Sequence, residues 1–151
     1  MNTLKVGDKV PNFSVLNDEG KPVSLSDYKG KKLVVFFYPK ANTPGCTAEA
    51  CNLRDHYEQL KEKGYELLGV SADSVKKQEN FKSKYKFPFP LLADEEKVVI
   101  NAFGVWGPKK FMGKVYDGIH RMTFLINGNG VVERVIDKVK TKDHAAQILE
   151  G

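Results

Sequence analysis

The sequence predicts an α/β fold, a sandwich of helices packed on a mixed β-sheet. Three observations point there. "KKLVVFFYP" and "YELLGVSAD" are continuous apolar runs rich in β-branched and aromatic residues, and they read as buried strands. Segments with helical patterning alternate with these strands. Late in the chain, "RMTFLINGNGVVERVI" reads as a strand, an Asn-Gly-Asn-Gly turn and a partner strand, with one more helix to follow.

Taken in order, "FSVLNDEGKPVSL" is expected to form an N-terminal β-hairpin around its Asp-Glu-Gly turn. "KKLVVFFYP" is the central strand, ended by Pro39. Residues 43–63 carry a helical pattern that stops at Gly64. "YELLGVSAD" is a second buried strand, and residues 74–85 are a helix opened by an Asp73/Ser74 cap. "FPFPLLAD" is extended because its prolines exclude helix. Residues 95–103 form a short helix, and the final helix covers residues 141–149. No repeat, low-complexity segment or linker interrupts residues 1–151, which are expected to form a single domain.

Composition narrows the function. At 151 residues, 41% hydrophobic and 28% charged, the chain can build a real core. No apolar stretch approaches the ~20 residues of a membrane span, and "MNTLKVGDKV" does not read as a signal peptide. The expectation is a soluble cytosolic protein without a membrane partner. The net charge of +5 comes from lysines spread through "YKGKK", "VKKQENFKSKYK", "WGPKKFMGK" and "DKVKTKD". Acidic residues interrupt several of these runs, so they read as a solvated surface rather than a nucleic-acid site.

The chemistry is expected in "TPGCTAEAC", which holds both cysteines. In a reducing compartment two close cysteines point to catalysis or metal binding rather than a permanent staple. Thr43 is a good N-cap residue, Pro44 suits the first helical position, and Cys46 falls at the third. Its sulfur would lie near the free N–H groups of the first turn, where donors and the helix dipole favour negative charge. Gly45 leaves room for a small molecule against the backbone. Cys46, Ala50, Leu53, Tyr57 and Leu60 form one apolar stripe that should face the sheet. Cys51 is turned roughly 140° away and lies about 7.5 Å along the axis. That places the two Cα atoms beyond the ~7 Å reach of an unstrained disulfide, so a bond between them requires the first turns to unwind.

The segment "YPKANTPGCTAEAC" resembles the active-site segment of peroxiredoxins: a proline, three residues, a threonine, two residues, then the attacking cysteine. Pro39, Thr43 and Cys46 match that spacing. A second cysteine five positions on, here Cys51, is similar to the bacterioferritin-comigratory-protein (PrxQ-type) branch. "VGDKVPNFSVLNDEGKPVSLSDYKGKKLVVFFYP", "GVSADS" and "FGVWGPKKFMGKVYDGIHRMTFLI" extend the resemblance over nearly the whole chain. It implies a thioredoxin-like three-layer sandwich with a mixed central sheet. It implies that Cys46 is the peroxidatic cysteine, which attacks the peroxide and becomes a sulfenic acid. Thr43 would hydrogen-bond peroxide and sulfur, Pro39 would shield the site, Arg121 would sit near the sulfur, and Glu49 would orient that arginine. Cys51 would be the resolving cysteine, closing an intramolecular disulfide that a thioredoxin-like protein reduces. No cofactor or metal is implied, and relatives of this kind occur as monomers and dimers.

The residues admit other readings. Cys46 is also a suitable core residue, Cys51 a suitable surface thiol, Arg121 an ion-pair partner, and Glu49 a helix N-terminus acid. His56, His120 and His144 are scattered and are not expected to act in acid–base chemistry or to bind metal. A thiol–disulfide oxidoreductase would usually carry Cys-x-x-Cys, and a metal module would need ligands beyond Cys46, Cys51 and a histidine. A thiol peroxidase requires a thiolate and donors to the peroxide oxygens, which this segment can supply.

Overall fold

The computed structural model describes residues 1–150. Along the chain run β1 (Ser14–Leu16), β2 (Pro22–Ser24), a 3-10 turn (Leu25–Tyr28), β3 (Lys32–Phe37), α1 (Pro44–Asp55), α2 (Tyr57–Glu62) and β4 (Tyr65–Ser71). There follow α3 (Val75–Tyr85), β5 (Leu91–Ala93), α4 (Val98–Phe103), β6 (Trp106–Phe111), β7 (Lys114–Ile119), β8 (Met122–Ile126), β9 (Val132–Ile136) and α5 (His144–Leu149).

Five strands form a mixed sheet in the order β5-β4-β3-β8-β9. β3, β4 and β5 are parallel, while β8 runs antiparallel to β3 and β9 antiparallel to β8. The central strand β3 is buried on both faces, which is why it reads as an unbroken apolar run. Leu33, Val35 and Phe37 join a core with Val99, Ile100 and Phe103 of α4 and with Val10 and Phe13 of the N-terminal arm. Val34, Phe36 and Tyr38 face the opposite way, into a core with Ala50, Leu53, Leu60, Phe81, Ala145 and Ile148 from α1, α2, α3 and α5. Helices on two faces of one sheet make three layers. The expected N-terminal hairpin is present as β1 and β2, paired Ser14 to Ser24 through Leu16 to Pro22.

Three helices differ from their expected limits. The 43–63 helix is broken at His56, whose backbone leaves the helical region at φ −112° and ψ 16°. Its ring Nδ1 lies 2.9 Å from the Asn52 carbonyl oxygen, which also accepts the His56 N–H at 3.2 Å. The apolar stripe survives the kink, with Cys46, Ala50, Leu53 and Leu60 all buried. α4 starts at Val98 rather than residue 95 because Lys97 is left-handed at φ 61°. The Asp94 carboxylate then accepts from the N–H groups of Val98 and Ile100 at 2.8 Å each. α5 starts at His144 rather than residue 141, after a turn closed by the Asp143 N–H donating to the Lys140 carbonyl.

Residues 106–119 form a hairpin that the sequence reading leaves unassigned. β6 and β7 pair from Trp106–Ile119 to Phe111–Lys114 around Met112 and Gly113, both at positive φ (50° and 80°). Two adjacent residues of that kind make a tight two-residue turn whose twist suits a hairpin. Phe111, Met112, Val115 and Tyr116 are exposed on it. Among the described residues no helix is long and apolar enough to cross a membrane.

Candidate active site

The site lies where β3 ends and α1 begins. After Phe37, Tyr38 still donates its N–H to the Val70 carbonyl, and its hydroxyl donates to Gln78 Oε1 at 2.6 Å inside the second core. The half-buried Pro39 then ends the strand. The loop to the helix is pinned from below. The Ala41 N–H donates to Asp73 Oδ2 at 2.8 Å, and the same carboxylate oxygen accepts from the Ser71 hydroxyl at 2.6 Å. Asn42 turns the chain through φ 63°. The sequence pairs Asp73 with Ser74 as a cap. In the structure Ser74 alone caps α3, accepting from the Lys77 N–H at 3.2 Å, and Asp73 holds the loop instead.

Thr43 occupies the N-cap position of α1, and its carbonyl accepts the first helical N–H, from Thr47, at 2.8 Å. Its side chain does not cap, contrary to expectation: the hydroxyl donates to the Lys40 carbonyl at 2.8 Å. With its proton committed, the Thr43 oxygen is left to act as an acceptor. Pro44 opens the helix, Gly45 follows, and Cys46 stands third, only 2% exposed.

Arg121 reaches Cys46 from the sheet. It directly precedes β8, whose Met122 pairs with Phe37, so the register sets it beside the end of β3. Its Nη2 lies 3.4 Å from the Cys46 Sγ, and its Nη1 donates to Glu49 Oε1 at 2.6 Å. A side chain at position 45 would put its Cβ 3.2 Å from that same Nη2, so Gly45 leaves the guanidinium its place. Cys46 and Glu49 are three residues apart on one helix face, which lets one guanidinium span both.

The charges respond to this burial. Burial raises the Glu49 carboxyl to about 7, with the charge and hydrogen bond of Arg121 pulling the other way. Burial alone would lower Arg121, but the charges of Glu49 and Cys46 outweigh it and hold it above its ordinary value. Lys109 on β6 also feels the centre. Burial, then the Arg121 charge, lowers it, while its Nζ donates to the Ile119 carbonyl at 2.8 Å.

Cys51 sits more than a turn further along α1. It is half-buried at the margin of the second core, and both cysteines are free thiols. Burial raises the Cys51 thiol above its ordinary value, Arg54 opposes this and Asp55 adds to it. The structure therefore brings Cys46, Arg121 and Glu49 into direct contact, puts Thr43 and Pro39 on the loop beside them, and leaves Cys51 apart. Among the described residues, no group of three or more His, Cys, Asp or Glu side chains is placed to hold a metal ion.

His144, Thr123 and Asp73 belong to this neighbourhood and were not singled out for it in the sequence. His144 is fully buried with Nε2 3.6 Å from Glu49 Oε2 and 2.7 Å from Thr123 Oγ1. Its histidine type was visible in the sequence, but nothing there marked α5 as a neighbour of α1.

A cysteine at a helix start, bridged by an arginine to a buried glutamate on a thioredoxin-like sheet, defines a class of thiol-dependent proteins. Residues 6–135 match the profile of the AhpC/TSA family, and the chain belongs to that family. It is 49% identical to peroxiredoxin Bcp of Escherichia coli (strain K12) over 149 residues, covering 99% of this chain and 96% of that protein. It is 48% identical to peroxiredoxin Bcp of Bacillus subtilis (strain 168) over 148 residues, covering 98% and 94%. Among solved structures it resembles the bacterioferritin comigratory protein of Xanthomonas campestris, studied for its alkyl peroxide reduction activity, with a TM-score of 0.86 and 37% identity. That match covers 91% of this chain and 88% of the other.

Proposed function

We propose that this protein is a two-cysteine thiol peroxidase, a single domain over residues 1–151, that reduces hydrogen peroxide and alkyl hydroperoxides. The observation that carries the reading is the Arg121 guanidinium, 3.4 Å from the Cys46 sulfur and 2.6 Å from Glu49. A cation fixed there stabilises negative charge as it moves from sulfur to oxygen. Support also comes from the relatives, named as peroxiredoxins.

In the first step the Cys46 thiolate attacks one peroxide oxygen. The S–O bond forms, the O–O bond breaks, and the leaving oxygen takes a proton to depart as water or an alcohol. Cys46 becomes a sulfenic acid and the peroxide is reduced by two electrons. The Thr43 hydroxyl donates to the Lys40 carbonyl, so its oxygen is placed to accept a hydrogen bond from the peroxide O–H and orient the attack. Arg121 donates to the reacting oxygens, Glu49 holds Arg121 in place, and Pro39 shields the sulfur.

In the second step the Cys51 sulfur displaces the sulfenic oxygen as water and closes a disulfide. Both cysteines lie on α1, so the helix must open between them first. A thioredoxin-like dithiol then reduces the disulfide by exchange. The setting is the cytoplasm, where such dithiols keep cysteines reduced, and the working unit is a monomer. No cofactor, membrane or nucleic acid takes part.

Intact-mass spectrometry of reduced protein, mixed with one equivalent of hydrogen peroxide and quenched over time, tests this. Rapid loss of two hydrogens with a Cys46–Cys51 crosslink is expected, and Cys46→Ser abolishes it. A wild-type mass that stays reduced, or a Cys46→Ser variant that still turns over peroxide, overturns the assignment.

A further inference from the structure

Only one oxygen of Glu49 is in use. Oε1 receives Arg121, whereas Oε2 is, among the described residues, the one buried side-chain nitrogen or oxygen with no hydrogen-bond partner. A bare carboxylate oxygen in a core is costly unless something compensates it. His144 Nε2 stands 3.6 Å from that oxygen, and both side chains are fully buried.

The other ring nitrogen fixes which proton His144 carries. Nδ1 lies 2.8 Å from Gln147 Oε1. The Gln147 amide is oriented by two backbone partners: Oε1 accepts from the Lys140 N–H and Nε2 donates to the Lys138 carbonyl, each at 2.9 Å. Nδ1 must therefore be the donor, and a neutral His144 presents a lone pair at Nε2. Thr123 Oγ1, 2.7 Å from Nε2, can donate or accept. Nε2 can thus gain or lose a proton without losing Thr123.

We propose that His144 is a positioning residue for the Cys46 centre: its Nε2 and the free Glu49 oxygen hold one proton between them, and that proton decides whether Arg121 faces a carboxylate or a neutral acid. With a carboxylate, the Arg121 charge is divided between Glu49 and the Cys46 sulfur. With a neutral acid, the charge faces the sulfur alone. This deepens the peroxidase reading and rests on its assignment of Arg121 and Cys46.

The surroundings limit the pair to one proton. Arg121 faces it from the start of β8. Arg134 approaches from β9, donating to the carbonyls of Ile148 (3.0 Å) and Gln147. Both are cations and disfavour a second proton on His144. Cys46 shares the Arg121 guanidinium with the pair from α1, Lys109 on β6 is lowered by burial and then by the Arg121 charge, and Asp143 at the start of α5 is exposed. Burial raises Glu49 to about 7 and lowers His144 from its ordinary value, so the carboxyl competes with the imidazole for that proton.

The test is nitrogen-15 NMR of the histidine rings against pH, on wild type and Glu49→Gln. The His144 Nε2 resonance of the wild type should respond between about pH 6 and 8. In Glu49→Gln the midpoint should fall by about one pH unit or more, because a buried imidazole beside two arginines has lost its anion. A midpoint unchanged by the substitution, or a wild-type resonance that does not respond, overturns the proposal. A second arm follows Cys46 alkylation by iodoacetamide against pH. His144→Gln supplies a permanent donor to Glu49, so the rate step belonging to the pair should disappear while that of Cys46 remains. If both steps remain in place, the coupling is absent. Loss of the peroxidase reading looks different: Cys46 would then fail to react with peroxide at any pH, whatever stands at position 144.

Discussion

Two cysteines share one helix and meet opposite surroundings. Cys46, in the first turn of α1, is buried with a guanidinium against its sulfur. Cys51, one turn and a half later, is half-buried, and burial raises its thiol. The first environment sets a fixed cation against a buried sulfur, which suits the attacking role proposed for Cys46. The second holds its thiol at the helix margin, which suits the resolving role proposed for Cys51. Residue type is the same in both, so the proposed difference in role rests on position along the helix and on what the sheet delivers to each.

The sharpest way to break this comparison is Cys51→Ser. The first turnover with peroxide should keep its wild-type rate in stopped flow, while steady-state recycling by a thioredoxin-like dithiol should be lost. Normal recycling would show that Cys51 is not the partner. Next in size is Arg121→Ala, which removes the cation from the Cys46 side alone. The rate constant for peroxide should fall about 100-fold or more, the usual cost of one lost donor to a developing oxyanion. Alkylation of Cys51 in the unfolded chain should not change. Gly45→Ala should have a smaller effect, several-fold on the same rate constant. Its Cβ crowds Nη2 at 3.2 Å without removing it. A rate equal to wild type would mean the guanidinium has room to spare.

The smallest effect concerns stability. Glu49 is raised in the folded protein to about 7 from an ordinary value of 4.5. A raised carboxyl binds its proton more tightly when folded. Its contribution is therefore fully present below about pH 4.5 and is lost as pH rises through about 7. Denaturant unfolding of wild type and Glu49→Gln should show the wild type losing stability relative to the variant over that window. Parallel curves would place Glu49 in a better-solvated setting than the structure gives it.

The sheet was legible because β3 and β4 are buried on both faces and show it in their composition. The Thr43-Pro44-Gly45-Cys46 start of α1 was legible because capping chemistry is local. Other features depend on which of several nearby partners a group takes, or on contacts across the chain. Nothing near residue 43 in sequence says that its hydroxyl will choose the Lys40 carbonyl over the helix. The β6–β7 hairpin was missed because its turn is Met112-Gly113, without the Asn or Asp that usually marks such a turn. The break at His56 is a backbone turn between two helical runs, which an apolar periodicity does not record. His144 gains its place from α5 packing against α1, a distance of 95 residues along the chain between Glu49 and His144.

Asn52 would set a limit to the opening of α1 that the proposed disulfide requires. Its side chain donates to the Lys142 carbonyl at 3.0 Å and accepts from the Ala145 N–H at 2.8 Å, riveting the helix to α5 one residue beyond Cys51. Below that rivet, Leu53 and Leu60 are sunk in the core. Oxidation should then melt a short, bounded segment rather than the whole helix. In hydrogen exchange the amides of residues 47–55, whose acceptors lie in or before the opened segment, would lose protection in the disulfide form, while those of His56 and Leu60 keep theirs. Reduction would let the same segment refold against an unchanged template, so each catalytic cycle disturbs only the turns that carry the two sulfurs.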